Sequence, residues 1–375
     1  MFLWQQILKI KAIRSSTSIM VKNRQEIWRS SVETEKELRS GIAGADSKAG
    51  WAKVSHVPAV IGLPGVKLAA VTTRNEQKAR EAAEAFGAHR WFSDPFAMIR
   101  DDRVDLVTIS VKVPAHYELV LAVLDAGKAV YCEAPLGRTE DMVSTVGSLH
   151  TAIGLQGRLN PTVRRAVQLI RSGNIGRPLN ARIVSTAPGI GRPELPSTLD
   201  YLNKTSSGTN LLTISAGLDI VDMVLGPIVE VDARTEILWP SIKLNDTGDE
   251  SLRQTPDHVD VLGKTRSGCI FTAHISGGLG PEDARFSFEI RGSEGWLSLS
   301  GGHSYRFQAG DLKLTSSVPF EAAEEATVSG GFMGAAINIG EVYTHFVRDL
   351  HAGTYSTPGF EHALHNARPD LIRLN

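Results

Sequence analysis

The chain has 375 residues, long for one ordinary domain and comfortable for two. Apolar residues make up 42% and charged residues 22%, and 40 Lys plus Arg against 41 Asp plus Glu leave a net charge of −1, which argues against nucleic acid binding by counterion release, because that needs a basic face. No stretch approaches the ~18 uninterrupted apolar residues of a membrane span, and two cysteines, Cys132 and Cys269, are too few for a disulfide framework. The expectation is a cytoplasmic protein of two domains with a full core.

Residues 1–36 stand apart. Lys9, Lys11, Arg14, Lys22 and Arg24 are interspersed with serines, and no acid comes before Glu26. Two readings stay open for this extension: a mitochondrial targeting segment, or a disordered tail, including a start upstream of the true one at Met20. From Glu37 a strand–helix alternation begins, with strands expected at Leu38–Ala43 and Val66–Val71 and a helix over Asn75–Phe86. Leu106–Val111 is a near-continuous apolar run, as in a strand buried on both faces. A helix follows with Tyr117, Val120, Leu121 and Leu124 at i, i+3, i+4, i+7, then a strand at Ala129–Cys132. Repeated βαβ spacing predicts a parallel, doubly wound sheet over residues 37–158.

The second domain is expected over 159–375. It opens with a helix at 161–172, striped by Val163, Ala166, Val167 and Ile170. After Arg177 the pattern turns to period-two strands: Val259–Gly263 with Cys269–Ile275, and Phe286, Phe288 and Ile290 turning through Gly292–Gly295 into Trp296–Leu299. This predicts a mainly antiparallel sheet with one wet face. Its apolar side, with Phe271, Ile275, Phe286, Phe288 and Ile290, is expected to be left uncovered and to pair two copies into a homodimer. A late helix carries Tyr343, Phe346, Val347 and Leu350.

Four segments carry chemistry. Gly41-Ile42-Ala43-Gly44-Ala45-Asp46-Ser47 leads from the first strand to Trp51, and glycines at such a turn let a dinucleotide pyrophosphate approach the backbone. Asp46 stands where a second glycine of G-x-G-x-x-G belongs, so the motif is incomplete. The second strand ends in Val71-Thr72-Thr73-Arg74 with no acid for a ribose diol; hydroxyls followed by Arg suit a 2′-phosphate, which favours NADP over NAD. Val111-Lys112-Val113-Pro114-Ala115-His116 and Tyr131-Cys132-Glu133-Ala134-Pro135 sit at strand C-termini, where open α/β sheets place their ligands. Candidate cofactor residues are therefore Gly41, Gly44, Ser47, Trp51, Thr73, Arg74, Val111, Lys112, Pro114, His116, Glu133 and Pro135. No H-E-x-x-H, G-x-S-x-G or P-loop occurs, no metal site is expected, and Asp257-His258 reads as a sheet-edge pair.

With these motifs in this order over about residues 37–350, the chain resembles the Gfo/Idh/MocA oxidoreductases. It looks closest to the branch that holds the fungal galactose-regulon repressor, on the strength of Lys112-Val113-Pro114, His116-Tyr117-Glu118, Leu155-Gln156-Gly157-Arg158, Thr255-Pro256-Asp257-His258 and Gly292-Ser293-Glu294-Gly295. The resemblance implies a Rossmann domain joined to a C-terminal α/β domain with an open sheet. It also implies a Glu-Lys-Pro motif whose lysine moves the substrate's hydroxyl proton, and an Asp and a His following a glycine that matches Gly208. Here the motif reads Glu133-Ala134-Pro135, Thr213 stands at the Asp position, and the His falls in a gap after Gly217. Proton transfer needs a titratable group within reach. The remaining catalytic candidates are His116, Tyr131 and Glu133, with Tyr201, Lys204 and Asp219 behind them. The expectation is an NAD(P)-dependent oxidoreductase of a sugar, polyol or secondary-metabolite alcohol or ketone. Its rivals are a silent dinucleotide-binding regulator that holds a protein partner, and a pocket reused for non-redox chemistry.

Overall fold

The computed structural model describes residues 37–137, 139–187, 218–243, 248–277, 285–301, 308, 311–321, 334–366 and 372–374. The first layer contains β1 (Leu38–Ala43), α1 (Trp51–Val54), α2 (His56–Gly62), β2 (Val66–Thr72), α3 (Glu76–Phe86), β3 (Arg90–Phe92), α4 (Pro95–Ile99), β4 (Leu106–Ile109), α5 (His116–Asp125), β5 (Ala129–Cys132), α6 (Thr139–Thr145) and β6 (Thr151–Ile153). Its six strands run in the order β3-β2-β1-β4-β5-β6, all parallel. The expected doubly wound sheet is therefore present. Strand order reverses between β1 and β4, the point at which such sheets open a crevice for ligands. The strand expected over 106–111 stops at Ile109, since the next residues turn into the short 3₁₀ segment Val113–Ala115.

A second 3₁₀ turn, Gln156–Leu159, leads to α7 (Pro161–Arg171), β7 (Pro178–Ala187), α8 (Leu218–Leu225), β8 (Ile228–Glu236), the hairpin pair β9 (Ser241–Lys243) and β10 (Glu250–Leu252), β11 (His258–Thr265), β12 (Ile270–Gly277), β13 (Phe286–Gly292), β14 (Trp296–Gly301) and β15 (Lys313–Ser316). The chain ends with α9 (Ala335–Ala352), α10 (Phe360–Asn366) and β16 (Ile372–Leu374). The large sheet has the order β15-β14-β13-β7-β12-β11-β8-β16, antiparallel except at β7–β12 and β8–β16.

Two expectations are corrected here. The apolar side of the large sheet is not an open patch: Phe271, Ile275, Phe286, Phe288 and Ile290 are buried in one cluster with Val163 and Val167 of α7 and Ile220, Val221 and Val224 of α8. The outer face is the mixed polar one, with Arg182, Asp232, Arg234, Asp260 and His274 alongside exposed Leu262 and Ile270. The domain boundary also shifts. Helices α9 and α10 leave the second layer and return to the first before β16 rejoins the large sheet; Ile339, Val342, Tyr343, Phe346 and Val347 of α9 pack with Ile42, Val71 and Leu106. Phe360 and Ala363 of α10 pack on the opposite face of the same sheet with Val107, Val130 and Ile153. A parallel sheet is apolar on both faces and must be covered on both, and the last helices supply part of each cover. One cysteine lies in each layer, Cys132 in the first and Cys269 in the second, both buried with free thiols.

The loop after α9 is held by one carboxylate. Asp349 accepts from the backbone N–H of Ser356 and Thr357 and from the hydroxyls of Thr354, Ser356 and Thr357, at 2.6–2.9 Å. Burial alone would push this carboxyl up, but the threonine hydroxyls and backbone amides outweigh it and hold the pKa at about 2. A pKa below that of the unfolded chain, ~3.9, means stability that is present above pH ~4 and is lost as pH falls toward 2. We predict that Asp349→Asn lowers unfolding stability by ~1–3 kcal/mol at pH 7. Denaturant titrations should show the gap between variant and wild type closing as pH drops from about 4 toward 2; a gap that does not depend on pH would contradict this account.

Candidate functional site

The C-terminal ends of β1, β4 and β5 meet at one edge of the first sheet. Gly44, at φ +91°, begins the turn after β1, and a Cβ there would collide with the carbonyl of Ser110 beyond β4. Only glycine lets the two strand ends close so tightly. The turn is fixed by Gly44 N–H and Ala45 N–H donating to Thr72 O of β2, and by Ser110 N–H donating to Ala43 O. Beyond it, Ser47 is half-buried, and Lys48, Ala49 and Gly50 are exposed before Trp51 starts α1. Asp46 does not confront this opening with a bare charge: its carboxylate accepts from Lys48 N–H at 2.8 Å and from Lys78 Nζ of α3 at 3.1 Å. Burial works against ionisation, but these donors outweigh it and hold the carboxyl below its usual range.

The turn after β2 places the side chains expected to meet a ribose. Asn75 caps α3 by accepting from Lys78 N–H at 3.0 Å, and Thr73 Oγ1 donates to Asn75 O at 2.8 Å, so Arg74 stands exposed at the tip. Lys112 and Pro114 are exposed and Val111 is half-buried after β4. Val111, Lys112 and Pro114 thus follow β4 beside the reversal in strand order, and Thr73 and Arg74 follow the neighbouring β2.

Three candidates sit elsewhere. Gly41 is inside β1, facing Met98 and Val104, so it serves packing and not the turn. His116 is turned inward and buried: Nδ1 lies 3.0 Å from Pro135 O and Nε2 3.0 Å from Val111 O. A neutral imidazole donates through one nitrogen at a time, and burial pulls this ring's pKa down against the pull of the Val111 and Pro135 carbonyls and the Glu133 charge. The ring thus staples the turn after β4 to the turn after β5, with no face open to a substrate. Tyr131 is wholly buried against His56 and Tyr343, and burial, followed by the charge of Glu133, pushes its hydroxyl well above the normal phenol value. It cannot serve as a proton donor at the site.

Glu133 is at the edge, and its partner is a residue that the sequence reading passed over. Glu133 Oε1 lies 2.7 Å from His56 Nε2; His56 Nδ1 is 3.1 Å from Tyr343 Oη, which in turn is 2.6 Å from Thr108 Oγ1. His56, Thr108 and Tyr343 are buried, and the Glu133 side chain is 14% exposed. Gly154, after β6, makes room for the carboxylate, because a Cβ there would stand 2.6 Å from Glu133 Oε2. The signal for His56 was its spacing. Together with Ala59 and Val60 it forms an i, i+3, i+4 face, which places an imidazole among core residues.

A second polar cluster joins the layers. Arg158 donates through Nε to Asp219 Oδ1 at 2.6 Å and through Nη2 to Asp222 Oδ2 at 3.0 Å; Asn366 and His365 of α10 reach the same two carboxylates at 2.8 and 2.9 Å. Asp219 is thereby committed to an ion pair. Tyr201, Lys204, Gly208, Thr213 and the gap after Gly217 lie outside the described residues. Among the described residues no group of three or more His, Cys, Asp or Glu could hold a metal. Asp257 accepts from the backbone N–H groups of Leu238 and Trp239, and His258 contacts Ser276, so the two do not form a dyad.

Residues 38–153 match the family described as an oxidoreductase family with an NAD-binding Rossmann fold, Gfo/Idh/MocA, and residues 161–301 match the C-terminal domain of Gal80p. The chain carries a Gfo/Idh/MocA-type Rossmann domain followed by a Gal80p-type C-terminal domain. Among relatives, it is 31% identical over 213 residues to a dehydrogenase, aclE, of Aspergillus oryzae, covering 53% of this chain and 57% of that one. The chain thus matches little more than half the length of that relative. It is 26% identical over 310 residues to the galactose/lactose metabolism regulatory protein GAL80 of Kluyveromyces lactis, covering 75% and 67%. The apo form of a levoglucosan dehydrogenase superposes with a TM-score of 0.76 at 20% identity, covering 90% and 95% of the two chains, which shows a shared fold.

The geometry of His116 yields a test. We predict that His116→Ala lowers stability by ~1–3 kcal/mol through the loss of a buried hydrogen bond while leaving residual dinucleotide binding. Loss of turnover with unchanged denaturation midpoint and unchanged dinucleotide affinity would instead make His116 a proton carrier and overturn the staple.

Proposed function

We propose that the protein binds NADP(H) or NAD(H) across the ends of β1, β4 and β5 and interconverts an alcohol and a ketone on a sugar, polyol or secondary metabolite. The observation that carries this reading is the convergence of the Gly44 turn, the Thr73–Arg74 tip and Glu133 at the strand-order reversal, where doubly wound sheets hold their ligands. The residues fit a dinucleotide. The turn from Ser47 to Gly50 is open, the neighbouring acid Asp46 is already engaged by Lys78, and Arg74 is free to meet a ribose phosphate. Thr73 and Arg74 would hold the adenosine ribose, Gly44 and Ser47 the pyrophosphate side, and Lys112, Pro114, Glu133 and Pro135 the nicotinamide side. When bound, the dinucleotide supplies the hydride acceptor or donor. The family name and the dehydrogenase relative agree with this choice.

Ala134 favours a second reading. With no lysine beside Glu133, a dinucleotide-binding regulator that holds a protein partner, as the likeness to GAL80 suggests, is the alternative. Fluorescence titration with NADPH and NADH, wild type against Arg74→Ala, tests the cofactor. The expected outcome is tighter NADPH binding and a loss of about tenfold or more in the variant, equivalent to ~1.4 kcal/mol; equal affinities unaffected by the substitution would rule out the Arg74 assignment. Steady-state assays on aldoses, alditols and inositols then separate enzyme from regulator, since binding without turnover on any of them favours the regulator.

We also propose a homodimer, formed through the outer face of the large sheet, where Leu262 and Ile270 are exposed among charges of both signs. Light scattering at micromolar concentration should give twice the chain mass, and Leu262→Glu should shift it to the monomer. A wild-type monomer would refute the assembly.

A further inference from the structure

Glu133 is a largely buried carboxyl paired with an imidazole that is wholly buried. Such a pair is a poor source of stability, because desolvation of both ions cancels much of their attraction. Its geometry does allow something that a fixed ion pair would not. With His56 neutral, Nε2–H donates to Glu133 Oε1, while Nδ1 accepts from Tyr343 Oη, which accepts from Thr108 Oγ1. If His56 gains a proton, Nδ1–H donates to Tyr343 Oη, and the phenol turns its hydrogen to Thr108 Oγ1. Each contact keeps a donor facing an acceptor in both states. His116, held between two carbonyl oxygens, has no such alternative.

We propose that Glu133 and His56, backed by Tyr343 and Thr108, form the proton store for the redox reaction and take over the role left vacant at Ala134. This rests on the dinucleotide reading above. In the oxidising direction the substrate's C–H bond breaks with its electron pair, which leaves as hydride to an oxidised nicotinamide dinucleotide. The O–H bond breaks with its proton passing to the Glu133 carboxylate, whose Oε1 goes on accepting from His56 Nε2–H. The products are a carbonyl compound, a reduced dinucleotide and one proton held by the pair. Glu133 is the group at the site, and His56 and Tyr343 are positioning residues that act through it.

The surroundings leave this pair as the place where charge changes. The other titratable groups facing it are Tyr131 and Cys132 of β5, Tyr343 of α9 and His116 of α5. Burial pushes both phenols and the thiol up and the His116 ring down, so all four are neutral near pH 7. A positive nicotinamide at the end of β5 would disfavour an added proton there, and a neutral one would permit it.

Calorimetric titration of the full-length protein with oxidised and reduced dinucleotide, in buffers of different ionisation enthalpy, counts protons without a substrate. Wild type should take up more protons with the reduced form than with the oxidised form, by about half a proton or more near pH 7. The difference should vanish in His56→Gln and Glu133→Gln and fall at least about twofold in Tyr343→Phe, with unfolding midpoints confirming that each variant is folded. A merely structural His56 would weaken both forms alike and leave the difference in place. Binding of both forms with no proton difference in wild type overturns the store alone. A difference that survives in the folded variants overturns the assignment to this pair. If neither dinucleotide binds, the cofactor reading fails and the store falls with it.

Discussion

A parallel sheet has no side to spare for water, and this chain meets that demand with residues from its far end. β1, β2, β4 and β5 are largely buried strands of a sheet whose two faces both need covering. α9 closes one face with Ile339, Val342, Tyr343 and Phe346, and α10 closes part of the other with Phe360 and Ala363. The ligand edge exists because that closure fixes the strand ends. The same helix that seals the core also brings the hydroxyl of Tyr343 to His56, so the polar chain behind Glu133 is a consequence of how the first sheet is covered.

Polar groups inside a protein are tolerated when each has a partner and are costly otherwise. The first layer buries a carboxylate, an imidazole, a phenol and a threonine hydroxyl in one row, and the layer junction buries Arg158 against two aspartates with His365 and Asn366 completing the shell. The two clusters differ in kind. Around Arg158 the guanidinium donates to fixed acceptors, and the 3₁₀ turn Gln156–Leu159, α8 and α10 are pinned together. In the row behind Glu133 the hydrogens can turn around, and its outer end lies at the strand edge. One arrangement holds the layers in register; the other is suited to respond to charge.

Much of this was legible in the residues, and the failures have physical causes. Four of the six parallel strands were legible from apolar runs and βαβ spacing, while the three-residue strands β3 and β6 are too short to show a pattern; the large sheet follows from period-two alternation at 286–291. That alternation, however, says which residues share a face and not which face is covered. Phe286 and Phe288 therefore read as an open patch until α7 and α8 were seen to lie over them. The helices at 51–62 were not anticipated because Ser55 interrupts their periodicity, its hydroxyl donating back to Trp51 O and breaking one helix into two short ones. His116 was placed at the right strand end, but the direction of its ring depends on two carbonyls from separate turns. His56 was missed because its local spacing marks it only as core-facing, and its meaning lies in contacts 77 and 287 residues away.

The two cysteines described with the fold have a use unrelated to chemistry at the site. Cys132 ends β5 of the first sheet and Cys269 lies in the core of the second layer; both are buried, and burial, joined for Cys132 by the charge of Glu133, raises their thiols, Cys269 to about 11. A thiolate is the reactive species, so in the native state neither is available to an alkylating reagent. Each reacts only when its own layer opens. The chain thus carries one built-in reporter in each half, and the rate at which each sulfur is captured measures how often that half breathes, separately from the other.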